Sequence, residues 1–297
     1  MKPRLRFWGV RGSFPSAHPN CRVLGGNTAC LQLEWLGQSL IIDAGTGIRS
    51  LGKQLLGQGA PLHLLISHPH WDHIQGLPHF APLYCEGTRL HVHSLQRAVK
   101  LRSLLESQQS GPFCATPLGQ LPCQLSFQEW EEGQCFRVGD FEVEAWRLNH
   151  PGTCSGFRIR CGEFVFAYVS DVAPSQDYLL ADPWPGQPPR QQALEQLYEN
   201  QLRLMDRADA VVYDTFFTAE LYAQRSHWGH STLEQALEAA ERAGARHLFM
   251  FHHNSELSDH QQQRRLDKAK RPAGLSVELA REGDQWALQP GLIHRCA

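Results

Sequence analysis

Short apolar runs recur along the chain, separated by polar and glycine-rich joints. Residues 29–35 (Ala-Cys-Leu-Gln-Leu-Glu-Trp) alternate with the period of a half-buried strand. Residues 39–43 (Ser-Leu-Ile-Ile-Asp) form a compact run ending on a carboxylate, followed by Gly45-Thr46-Gly47 and a helical pattern from Ile48 to Leu56. A further run at 62–66 leads directly into a dense group of histidines. Strand-like runs also lie at 89–93, 141–148, 157–160, 164–170, 210–214 and 247–251. Amphipathic spacing predicts helices over 95–108, 192–207, 231–243 and 258–270. Many strands come first and helices are interleaved, which predicts a mixed α and β class.

Residues 173–190 break the pattern, with Pro174, Pro183, Pro185, Pro188 and Pro189 around Gly186. Prolines at this density exclude a helix or a central strand. The segment is expected to be a surface connection, or else a lid or rim loop, because long irregular loops in compact domains are often functional. No repeat at a solenoid period and no other linker is visible, so residues 1–297 are expected to form a single domain.

Composition narrows the function classes. Charged residues make up 20% of the 297 and apolar residues 42%, a balance that excludes whole-chain disorder, collagen and coiled coil. The 28 Lys and Arg against 30 Asp and Glu give a net charge of -2, so any nucleic-acid contact has to be local. No apolar run reaches signal length near the first residues, and none approaches the roughly 18 residues of a membrane span. The nine Cys form no Cys-x-x-Cys pair, which favours reduced thiols over a disulfide framework. A cytoplasmic protein without a membrane partner is the expectation. The 16 His change the picture, because imidazole is the commonest metal ligand.

Those histidines cluster. Residues 67–73 read Ser-His-Pro-His-Trp-Asp-His. His68 and His70 are two apart, so on an extended segment they leave one face and can share an ion. Asp72 and His73 point elsewhere, toward a second ion. Zinc takes imidazole and carboxylate ligands of this kind.

His-x-His-x-Asp-His at a strand end resembles the signature of the metallo-β-lactamase superfamily. Asp43 before Gly-Thr-Gly, His150 in Leu-Asn-His-Pro-Gly, Asp171 closing Phe-Ala-Tyr-Val-Ser-Asp and His252 closing Leu-Phe-Met-Phe-His match that family's other positions in order. Trp228-Gly229-His230-Ser231-Thr232 is similar to the Gly-His-Ser-Thr segment of its ribonuclease Z-like phosphodiesterase branch. Arg6-Phe7-Trp8-Gly9-Val10-Arg11-Gly12-Ser13, with Gly25-Gly26-Asn27-Thr28, looks like a bacterial group of that branch, among whose relatives cyclic-nucleotide phosphodiesterases occur.

The resemblance implies an α+β fold, a four-layer αβ/βα sandwich. It implies two zinc ions per chain, with manganese the other candidate: His68, His70 and His150 on one, Asp72, His73 and His252 on the other, Asp171 bridging. His253, next to His252, is then expected beside the site or on the surface. Asp43 is expected to orient ligand groups, and a turn-capping role is the plain alternative. His230 and Asp72 carry the catalytic assignment, with His227 the rival proton donor. Asp214 is either a site residue or a structural turn. Arg11 and Asn27 either contact a phosphate or hold a loop. His91 and His93 are expected to be structural.

The implied activity is phosphodiester hydrolysis by a metal-activated hydroxide, with a small cyclic nucleotide as the expected substrate. The alternatives are RNA processing of the ribonuclease Z type, hydrolysis of a carboxylic ester, thioester or lactam, and a non-catalytic metal-binding role. The long basic arm with which ribonuclease Z grips transfer RNA has no evident match, which favours the small substrate. Homodimers are common in the resembling branch.

Overall fold

In the computed structural model, which describes residues 2–174 and 179–296, the apolar runs pair into two large sheets. Chain order begins β1 (Arg4–Gly9), β2 (Arg11–Gly12), β3 (Cys30–Trp35), β4 (Gln38–Ile42), α1 (Ile48–Leu55), β5 (Leu62–Leu65), α2 (Trp71–Ile74), β6 (Arg89–Ser94), α3 (Ala98–Gln108), β7 (Gln124–Glu129), β8 (Cys135–Val138), β9 (Phe141–Arg147), β10 (Ser155–Cys161) and β11 (Phe164–Val169). It continues with α4 (Arg190–Met205), β12 (Ala210–Asp214), α5 (Ala219–Arg225), α6 (Leu233–Arg242), β13 (His247–Phe251), β14 (His253–Asn254), α7 (Asp259–Lys268), β15 (Ser276–Leu279), β16 (Gln285–Gln289) and β17 (Leu292–Arg295).

The first sheet runs β17-β16-β1-β3-β4-β5-β6-β7 and the second β15-β13-β12-β11-β10-β9-β8. Their inner faces meet in a core of Leu5, Phe7, Leu31, Leu33, Leu40 and Ile42 against Phe157, Phe166, Tyr168, Val212, Phe249 and Phe251. Ile48, Leu51, Leu101 and Leu105 of α1 and α3 cover the outer face of the first sheet. Leu204, Leu233, Leu237 and Leu266 of α4, α6 and α7 cover the second. The result is the four-layer α/β/β/α sandwich that the resemblance implies.

β11 shows why the central strands read as unbroken apolar runs. Phe164, Phe166 and Tyr168 enter the inter-sheet core, while Val165, Ala167 and Val169 pack outward beneath the helices. Both faces are buried, so alternation disappears. Helix starts follow local chemistry. Thr232 and Ser258 close capping boxes with Gln235 and Gln261, which sets α6 and α7. The helix expected from residue 95 begins at Ala98, because Arg97 is extended at ψ 128°.

β4, β5 and β6 run parallel, as do β11, β12 and β13. Their carboxyl ends deliver Asp43, Ser67-His68, Asp171, Asp214 and His252 to one edge of the sandwich, the usual place for a site beside parallel strands. The described part of 173–190 has no helix, apart from the first residue of α4. It is tied to the loop that carries His150: the Leu180 amide donates to Asn149 Oδ1 at 2.9 Å and the Asp182 amide to the Gly152 carbonyl at 3.0 Å. Residues 175–178 of the expected connection or lid lie outside the described residues.

Candidate metal centre

Asp171, at the end of β11, is the hub. One carboxylate oxygen, Oδ2, stands 3.6 Å from His68 Nε2 and 3.8 Å from His150 Nε2. The other, Oδ1, stands 3.3 Å from both His73 Nε2 and His252 Nε2. His150 Nε2 lies 2.9 Å from His70 Nδ1, and His252 Nε2 lies 3.0 Å from Asp72 Oδ2. Three overlapping groups of ligand-type atoms result, His68-His70-His150-Asp171, Asp72-His73-Asp171-His252 and Asp171-Asp214-His230-His252, each with its atoms within 4.8 Å of one another. The structure brings together all seven side chains that the sequence singles out as ligands.

A surrounding layer fixes which imidazole nitrogen faces the centre. His73 Nδ1–H donates to Asp43 Oδ2 at 2.8 Å, which turns Nε2 toward the centre. His150 Nδ1–H donates to the Gly229 carbonyl at 2.8 Å with the same effect. His68 Nδ1 meets Ser67 Oγ at 3.0 Å, and Ser67 Oγ donates to Asp43 Oδ2 at 2.9 Å. Tyr168 OH adds a third bond to that oxygen at 2.7 Å, while Asp43 Oδ1 accepts from the Ser67 amide at 2.8 Å. Asp43 therefore organises His73 and the start of the His68 segment. Nothing in the sequence pattern assigns Ser67 or Tyr168 a role: Ser67 only opens the histidine cluster, and Tyr168 belongs to an apolar run.

Backbone geometry supports the same crowding. Asp43 and His252 adopt left-handed conformations, φ 59° and 55°, where the chain turns off β4 and β13. Such conformations in non-glycine residues persist where surrounding contacts hold them. Gly229 has φ 88°, and a Cβ there would stand 2.5 Å from His150 Nδ1, so the position requires glycine.

The electrostatics ask for positive charge. Burial disfavours protonation of His252, yet Asp171, Asp214 and Asp72 push it up to about 10. Burial likewise works against His73, and the Asp171, Asp72 and Asp43 carboxylates overcome it. On the other side burial dominates, holding His68 well below the usual imidazole range and His150 at about 3, so both stay neutral. His68 Nε2 and Asp171 Oδ1 are buried and have no hydrogen-bond partner. Buried, unpartnered donor atoms are costly. Neutral imidazoles and ionised carboxylates together are a donor set that fits divalent cations.

The remaining candidates separate. His230 Nδ1 pairs with Asp214 Oδ2 at 2.9 Å and stands 3.8 Å from Asp171 Oδ2. His227, in the turn before, is exposed. His253 is buried, with its Nε2 bonded to the Ala280 carbonyl at 2.9 Å, so it is neither a surface residue nor a rival to His252. Arg11 is fully buried; its guanidinium is taken up by Asp259 and by the Gly25, Asn254 and Leu257 carbonyls. Asn27 Nδ2 donates to Glu282 Oε1 at 2.6 Å. Both hold loops, leaving no group of Arg11 free for a phosphate. His91 bonds Ser126 across β6 and β7, and His93 bonds His63 across β6 and β5. All nine cysteines are free thiols. Among the described residues no helix is long and apolar enough to cross a membrane.

A family model for the beta-lactamase superfamily domain matches residues 38–253. A curated protein named ribonuclease BN, from Cronobacter sakazakii, is 27% identical over 88% of this chain and 92% of its own length. Among solved structures, the metallo-beta-lactamase fold protein YhfI from Bacillus subtilis superposes with a TM-score of 0.69 at 20% identity, over 96% of this chain and 99% of that one. Human tRNase Z, short form, gives a TM-score of 0.65 at 17% identity, over 96% and 99% of the two chains.

Proposed function

We propose, from the premise that this chain belongs to the beta-lactamase superfamily, that it is a metal-dependent phosphodiesterase whose substrate is RNA. The ribonuclease relatives put RNA ahead of the small cyclic nucleotide that the near-neutral net charge favours. The small nucleotide stays as the second reading because the net charge is -2. In either case residues 1–297 act as one domain, and the reaction belongs to an enzyme rather than a metal-binding scaffold.

The observation that carries the phosphodiesterase reading is the His230–Asp214 pair set against the ligand cluster. His68, His70 and His150 would hold one cation and Asp72, His73 and His252 the other, with Asp171 shared. Two divalent cations, zinc or manganese, would supply a nucleophilic water at neutral pH and a Lewis acid for the phosphoryl oxygen. Asp214 accepts the Nδ1 proton of His230, which leaves His230 Nε2 as the atom that carries a proton toward the substrate. Burial opposes ionisation of Asp214, but the His230 charge and hydrogen bond and the His252 ring 3.7 Å away hold it below the usual carboxylate range. The bond to Asp214 fixes the ring so that a proton carried on Nε2 can pass to the departing ribose oxygen. Hydrolysis of an ester or lactam would leave this pair without a task.

The test is a substrate panel with metal analysis. Purified protein should carry about two equivalents of divalent metal. It should cleave bis-para-nitrophenyl phosphate and RNA and leave a lactam intact. His230→Ala should lower kcat on phosphodiesters about 10²- to 10⁴-fold with metal content unchanged. Loss of metal in that variant would overturn the assignment of His230 as proton donor.

A further inference from the structure

Large aromatic side chains are normally buried, because leaving one in water forfeits about 1.5–3 kcal/mol. Three of this chain's aromatics break that rule next to the metal centre. Trp71, between His70 and Asp72, is 60% exposed. Phe14 is 66% exposed and follows Ser13, whose amide donates to Asp72 Oδ2 at 2.7 Å. Trp228 is 45% exposed and precedes Gly229, whose carbonyl accepts from His150 Nδ1. The Arg225 guanidinium lies 4.7 Å from the centre of the Trp228 ring.

Each ring is thus joined by one or two residues of backbone to a side chain of the cluster, or to a group bonded to one. Trp71 and Phe14 sit on the Asp72 side, and Trp228 on the His150 side. Neither Trp71 nor Phe14 makes a ring contact with another aromatic among the described residues, so neither belongs to a core cluster. Their hydration is a standing cost that a flat apolar ligand at the site mouth would relieve.

We infer that Trp71, Phe14 and Trp228 are stacking platforms for unpaired nucleobases on either side of the scissile phosphate, so that the substrate is a single-stranded segment and not a mononucleotide or a continuous duplex. The inference rests on the phosphodiesterase reading and deepens it. A mononucleotide offers one base, whereas platforms on two sides of the centre can take at least two. Bases in a duplex are stacked on each other and present no free face. Stacking draws part of its affinity from π-faces, which suits a chain whose net charge is only -2. Arg225, held against Trp228, adds a cation beside that platform.

Binding is measured by anisotropy of a fluorescein-labelled oligoadenylate, on chelator-treated protein so that nothing is cut. Companion probes are an abasic oligomer of the same length and a blunt RNA duplex. Wild type should bind the oligoadenylate about tenfold more tightly than the abasic oligomer or the duplex. Trp71→Ala should lose most of that advantage, and Trp71→Phe should restore it, with circular dichroism confirming that both variants fold. Equal affinity for base-bearing and abasic oligomers, or an unchanged advantage in Trp71→Ala, would overturn the inference. Failure of the metal-loaded protein to cut any phosphodiester would instead strike the underlying reading, and the binding result would still stand by itself.

Discussion

Asp43 makes no contact with the two shared oxygens of the centre, yet four donors converge on its carboxylate: the Ser67 amide, Ser67 Oγ, His73 Nδ1 and Tyr168 OH. It is fully buried and sits at φ 59°, a conformation that Asp tolerates because its short side chain bonds locally. Asp43→Ala strands all four donors in the interior. Leaving buried donors unsatisfied costs about 1–3 kcal/mol each, with strong coupling between neighbours. The variant should lose ~3 kcal/mol or more in urea unfolding of the metal-free protein. It should also bind zinc about 10- to 100-fold more weakly in a chelator competition, because His73 loses the bond that aims its Nε2. Asp43→Asn should lie between, since an amide can accept from some of the donors but cannot balance charge at His73. Ser67 and Tyr168 show why this layer was hidden in the sequence. Ser67 follows β5 and reaches Asp43 at the end of the neighbouring β4, while Tyr168 on β11 reaches it only because the two sheets pack face to face. The seven candidate ligands were legible because the His-x-His-x-Asp-His motif and the ordered residues after it resemble a known signature.

At the scale of elements, β5 and β6 carry a ladder of histidines, His63, His91 and His93, that joins neither candidate metal group. His63 Nδ1 meets His93 Nε2 at 3.1 Å, and the His63 and His91 rings stack at 5.0 Å. Burial, then the neighbouring His63 and His91, lower His93 to about 3; burial and His91 lower His63 to about 4. Ser126 of β7, Gln128 and the Trp130 ring face the same ladder and bring no negative charge. An unfolded chain titrates these groups near 6.5. Between pH 6.5 and about 3–4 the unfolded state therefore binds protons that the folded state refuses, and stability falls as pH falls through that window. Above pH 6.5 this contribution is flat. Replacing His93 by Phe should reduce the acid slope of the unfolding free energy by about one proton. Urea titrations at a series of pH values check this, and an unchanged slope would show that the ladder is not the source. Strand β7 was hard to read, because its alternation rests on Leu125 and Phe127 alone and both stay half-buried. β8, β15 and β17 are equally short and partly exposed. β1 was passed over although its charged and apolar residues alternate, because its two arginines look like a solvated end.

The whole molecule is closed by contacts between its two ends. β16 pairs with β1 to extend the first sheet, and β14 pairs with β2 beside the metal centre. Arg11 and Asp259, 248 residues apart, form a buried ion pair at this junction. Asp259 Oδ2 also accepts from the Val23 and Leu24 amides, and Arg11 Nε donates to the Gly25 carbonyl at 2.7 Å. The clasp positions the turn that brings Gly12 against His252 and the Ser13 amide onto Asp72. Two side chains of one candidate cation group, Asp72 and His252, thus depend on a contact that touches neither of them. Arg11→Ala would leave Asp259 buried without its counter-charge, an arrangement that costs about 3–5 kcal/mol. The melting temperature should drop by several degrees, and bound metal should fall below that of wild type. Arg11→Lys should recover only part of the loss, because an ammonium cannot serve the carboxylate and three carbonyls in the fixed directions of the guanidinium. Arg11→Met combined with Asp259→Leu removes both charges while keeping apolar volume. If the penalty comes from an unpaired charge, the double variant should be more stable than Arg11→Ala. If it comes instead from losing the bonds to Val23, Leu24 and Gly25, the double variant will be no better, and the clasp acts through loop anchoring.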